Sequence, residues 1–100
     1  MLEGAKTKDI NPFIGRRVVV RTNTAGVHIG TLVQASGEEC HLKNGLRLWS
    51  WRGALSLSAV AESGIISGRL NKTSEVYIIG AIEYILLSDN AYATMLPFVE

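Results

Sequence analysis

Arg47, Trp49 and Trp51 occupy alternate positions in the stretch GLRLWSWRG (45–53), with Leu46, Leu48 and Ser50 between them; both tryptophans of the chain lie here. Alternate residues of a strand point to opposite faces. If Leu46 and Leu48 face inward, the other set forms an exposed platform of two indoles and a guanidinium. That surface suits a nucleobase and its phosphate, since stacking contributes about 1–3 kcal/mol per base and a guanidinium offers charge-assisted hydrogen bonds. In the alternative packing Trp49 and Trp51 are buried in the core or in a subunit contact, and Arg47 covers them at the rim.

Further candidates surround this stretch. TNTAG (22–26) offers the hydroxyls of Thr22 and Thr24, the amide of Asn23 and backbone N–H groups in a tight loop, a set that can hold an anion. Arg21 precedes it. His28 shares a strand face with Gly30 and Leu32, where it either lines a pocket or sits as a satisfied, partly buried residue. Cys40-His41 has no second Cys or His pair at metal-ligand spacing, so no metal site is expected. No Ser-His-Asp or Cys-His set, Gly-rich loop with a helical Lys, or paired carboxylates stand in a catalytic context. A binder without catalysis or cofactor is expected.

Short elements must position these residues. RRVVVRT (16–22) reads as a strand turning through NTAG (23–26) into VHIGTLVQA (27–35), where Gly30 marks a bend or bulge. SGEE turns the chain again. CHLK (40–43), Asn44-Gly45 and LRLWSW (46–51) read as two strands joined by a two-residue turn, because Asn-Gly accepts positive φ. Ser56 or Ser58 caps a short helix that stops at Gly64. IISGRLNKT is ambiguous between strand and loop, and EVYIIGAIEYILLS (75–88) reads as two short strands bent at Gly80. Ser88 caps a final helix that Pro97 ends. Residues 1–10 are expected to form a loose arm and residues 11–100 one domain: a mainly β, strongly bent SH3- or Sm-like barrel of five or six strands with one or two short helices.

Composition bounds the function. With 100 residues, 47% hydrophobic, the chain is globular with a small core, which favours a surface or interface site over a deep cleft. The net charge of +1 argues against bulk nucleic-acid binding, but residues 1–53 carry eight basic against four acidic residues and residues 54–100 two against five. That asymmetry allows one anion-friendly face. A lone cysteine, a polar start (MLEGAKTKDI) and the lack of a long apolar run predict a cytoplasmic protein outside the membrane.

Two resemblances follow from these residues. GRRVVVRTNTAGVHIGTLVQASGEECHLKNG resembles the first motif of Sm-like proteins, and VYIIGAIEYI the second. The family's Asp-x-x-hydrophobic-Asn is replaced by SGEECHL and its Arg before the glycine by Ile79, so both uridine-pocket residues are missing. NPFIGRRVVVRTNTAGVHIGTLV with RLWSWRGALSLSAVAESG (about residues 11–64) is similar to small proteins of tailed phages and prophages. The first likeness implies a barrel and the second a phage source but no activity; together with the tryptophan platform and the nearby basic residues, the expectation is a phage-type accessory protein that binds, and in host defence sequesters, a small anionic or nucleotide-like ligand or a host factor. An Sm-like ring on single-stranded RNA and an assembly protein with tryptophans at its interface are the alternatives. Unpaired strand edges predict a homo-oligomer joined by strand pairing in each case.

Overall fold

The computed structural model describes residues 11–100; the arm expected at residues 1–10 lies outside them. Strands β1 (Arg17–Thr22), β2 (Val27–Ser36), β3 (Glu39–Arg52), β4 (Ser67–Ile79) and β5 (Ala81–Leu86) form one antiparallel sheet in the order β4-β3-β2-β1-β5. Helices α1 (Leu57–Ser63) and α2 (Asp89–Met95) and a 3-10 turn (Leu96–Phe98) complete the fold. The mainly β class stands, but the sheet is open where a barrel was expected. Among the described residues β4 and β5 are its two edges and no ladder joins them. At their junction the Gly80 and Ala81 N–H groups both donate to the Glu38 carbonyl (2.9 and 2.8 Å), so the corner is held to the β2–β3 turn.

Asn44-Gly45 does not turn the chain. β3 runs straight through it as a 14-residue strand, so the two strands expected around this dipeptide are one. The positive φ of Asn44 (53°) serves a bulge instead: on β3, Lys43 pairs with Thr31 and Leu46 with Ile29, leaving two residues opposite Gly30. One extra residue reverses which face every later side chain occupies. Leu42 therefore enters one core and Leu46 the other, despite their even spacing. β4 repeats the device beside it, where Ser74 has φ 57° and the register with β3 shifts. IISGRLNKT thus ends as strand from Ser67 onward.

A bend line consequently crosses β2, β3 and β4. On one side, Val19, Ile29, Leu46, Leu48 and Leu70 pack beneath α1 and α2 with Val60, Ala91 and Met95. Across the line, Val18, Val20, Leu32, Cys40, Leu42 and Ile78 form a second core on the opposite face. Backbone closeness at the line leaves no room for a side chain at Gly30, whose Cβ would lie 2.9 Å from the Lys43 carbonyl oxygen.

The helices are short and depend on their caps. The Ser56 hydroxyl accepts from the Ala59 N–H (3.1 Å) and that of Ser88 from the Ala91 N–H (3.0 Å), as the sequence predicts. Ser88 also donates to the Glu62 carbonyl (2.8 Å), and Thr94 accepts from the Ile65 N–H (2.9 Å), which ties α2 to α1.

Candidate functional site

A second bulge in β3 separates the two tryptophans. The register with β4 shifts between Leu48 and Ser50, so Leu48 pairs with Leu70 but Trp51 pairs with Gly68. Trp49 is thrown outward and is 58% exposed, whereas Trp51 turns to the helix side, packs on that core and donates its indole N–H to the Ala54 carbonyl (3.1 Å). Alternation alone puts both on one face; the extra residue breaks it.

Leu46 and Leu48 are buried and Arg47 points the other way, beside Trp49. The Arg47 guanidinium lies over the Trp49 ring, with its carbon 4.4 Å from the ring centroid. Trp49 donates its indole N–H to the Asn71 side-chain oxygen, and Asn71 donates to the Lys72 carbonyl (3.1 Å). Arg47 also donates to the Ala25 carbonyl of the β1–β2 loop (2.9 Å). Guanidinium and indole are thus held in fixed stacking.

The loop itself spends its polar groups internally. The Thr22 hydroxyl accepts from the Ala25 N–H (2.8 Å) and donates to the Gly26 carbonyl (2.7 Å), while the Asn23 N–H donates to the Gly80 carbonyl (2.9 Å). The anion cradle that the sequence suggests at 22–26 is therefore mostly closed; the side chains of Asn23 and Thr24 stay exposed. Arg21 is exposed and lies 3.7 Å from Glu83 on β5.

His28 is 3% exposed and pairs in register with Val20 and Arg47. Its Nε2 is 3.0 Å from the Ala25 carbonyl, so that nitrogen is the donor and carries the proton. Burial holds its pKa below the usual histidine value; the Ala25 bond raises it and the nearby Arg47 charge lowers it. Nδ1 of His28 and Nε of Arg47 are both buried without a hydrogen-bond partner among the described residues. Cys40 is buried and burial pushes its thiol pKa up, away from a reactive thiolate.

The structure brings together a group that the sequence reading missed. On the helix side of the bend line, a groove of about 650 Å3 is lined by Arg17, Lys43, Lys72, Ser74, Gly45 and Tyr92, together with Asn44, Leu46 and Glu75. The available signal was the basic first half of the chain, but only the strand register places Arg17 near Lys43.

No helix among the described residues is long and apolar enough to cross a membrane. No curated protein and no solved structure matches the chain. A family model described as a domain of unknown function, DUF6948, matches residues 15–95, and the chain belongs to that family.

Proposed function

We propose that this domain is a non-enzymatic, phage-type accessory protein of the cytoplasm that binds, and so sequesters, a small anionic or nucleotide-like ligand. The observation that carries the reading is the Arg47–Trp49 stack. A large aromatic ring left 58% exposed, with a guanidinium fixed on one face, leaves its other face to solvent. A nucleobase laid there extends the stack, and Arg47 stands within reach of its phosphate. Trp51 belongs to the core and is outside the site. His28 is tied to Ala25 and buried, and the Cys40 thiol is shielded, which supports binding over turnover.

Titrating mono-, di- and cyclic nucleotides into the pure protein while following tryptophan fluorescence tests this. Trp49 should be quenched and Trp51 should remain as a constant background, so a Trp49→Phe variant should lose the response. Silence across the panel overturns the proposal.

A second reading, a homo-oligomer joined at its sheet edges, is favoured by one specific observation. Tyr77 and Ile79 on β4 and Ile82 on β5 are 59%, 69% and 58% exposed around the Gly80 corner, where both edge strands meet. Exposed apolar side chains at strand edges that pair with no further strand among the described residues suit strand pairing with a second copy. Assembly and ligand binding are compatible; a ring that retains single-stranded RNA on a filter at low salt would favour the Sm-like alternative.

A further inference from the structure

We propose that the groove at the bend line is a second binding site, separate from Trp49, for a ligand carrying a chain of linked phosphates. Its place follows from the bulges. Gly30 on β2, Asn44-Gly45 on β3 and Ser74 on β4 lie side by side, and the break in pleating opens a hollow between the sheet and Tyr92 of α2. The volume, about 650 Å3, falls within the range of small-molecule sites, roughly 300–1,000 Å3.

Its charge is the second argument. Arg17 and Lys43 both pair with Thr31 of β2, one from each side, so their Cα atoms are two strand spacings apart, about 10 Å. Lys72 on β4 is the partner of Leu46, across the bulge from Lys43. Three cations from three strands thus converge on one hollow. Of the nearby acids, Glu75 lines the groove as the β4 partner of Lys43 and is hydrogen-bonded to His41, and Asp89, 3.6 Å from Arg17, is fully exposed. Lys43 and Lys72 have no salt bridge among the described residues. An anion spanning the three cations takes a charge-assisted hydrogen bond from each.

The third argument is preorganisation. The Arg17 guanidinium lies over the Tyr92 ring, 3.7 Å from its centroid, and 3.6 Å from Asp89, so its position is held before a ligand arrives. A single phosphate reaches one or two of these cations. A chain of two or three linked phosphates reaches all three, with Ser74 and Asn44 also lining the groove. Leu46 and Leu48 face the helices while Arg47 and Trp49 face away, so this groove and the Trp49 stack lie on opposite faces of the sheet.

Inorganic tripolyphosphate is the probe, measured by isothermal titration calorimetry at low salt with orthophosphate as control. The expected result is tripolyphosphate binding at least about tenfold tighter than orthophosphate, weakening as salt rises. Lys43→Gln with Lys72→Gln, both at exposed positions, should lose about tenfold or more while circular dichroism shows an unchanged fold. Trp49→Phe should bind the probe as the parent does. Equal affinity for the two anions, full binding by the double variant, or loss in Trp49→Phe overturns the proposal. So does affinity for a single-stranded oligonucleotide that rises steadily with its length, which would make the groove part of a nucleic-acid track. The nucleotide-fluorescence result bears only on Trp49, so either site can fail alone.

Discussion

Trp49 and Trp51 differ by two positions and should differ in every measurement. Trp49 is mostly exposed, so Trp49→Ala should change stability by no more than about 0.5–1 kcal/mol. Trp51→Ala removes a ring packed on the helix-side core and leaves the Ala54 carbonyl without its donor, at a cost of about 2–4 kcal/mol. Urea denaturation of the two variants checks this, and similar losses would refute the bulge between them. Arg47→Ala should cost about 1–2 kcal/mol even without ligand, because it removes the bond to Ala25 and uncovers Trp49. His28 makes stability pH-dependent. Its pKa is lower folded than unfolded, so the unfolded chain takes up a proton first. Its contribution is therefore complete above the unfolded value, about 6.5, and declines as pH falls below it. Denaturation midpoints from pH 8 to 5 should fall more steeply for the parent than for His28→Gln; parallel curves would mean that His28 is not the group responsible.

At the scale of elements, the bulges decide the architecture, and two glycines test them differently. A Cβ at Gly30 meets backbone, the Lys43 carbonyl oxygen at 2.9 Å, which cannot step aside. Gly30→Ala should cost about 1–3 kcal/mol. A Cβ at Gly45 meets chiefly the Thr73 hydroxyl, which is buried without a partner among the described residues. Thr73→Ala should therefore recover most of the loss in Gly45→Ala and none of that in Gly30→Ala, a double-mutant cycle read by thermal melting. The helices were legible in the sequence because their signals are local: Ser56 and Ser88 cap, Gly64 and Pro97 end. β1 and β2 were legible for the same reason. β3 was not, because Asn44 adopts the same positive φ in a bulge as in a hairpin turn, and only the partners on β2 and β4 distinguish the two.

On the scale of the whole molecule, the apolar corner formed by Tyr77, Ile79 and Ile82 is where assembly would occur. Light scattering at micromolar concentration should give a mass above that of one 10.9 kDa chain, and Ile79→Lys with Ile82→Lys should return it to the monomer. A monomer mass for the parent protein would remove the edge-pairing reading. The two faces of the sheet also divide the proposed ligand chemistry. A stacking aromatic stands on one face and a hollow lined by three cations on the other, and the positive first half of the chain supplies Arg17, Lys43 and Arg47 to both.

By itself, the sequence determined what short-range physics controls: a mainly β domain, the tight β1–β2 turn, two capped helices and the bend at Gly80. It also separated Leu46 and Leu48 from Arg47, Trp49 and Trp51, since alternation is a local rule, but left open which set faces inward; the structure buries the leucines. Only the tertiary structure decided where alternation breaks. The inward position of Trp51, the split of Leu42 and Leu46 between two cores, the open edge between β4 and β5, and the meeting of Arg17 with Lys43 and Lys72 all depend on register across strands distant in the chain. A single extra residue on one strand has no signature in its own neighbours; it is defined by what the adjacent strand places opposite it.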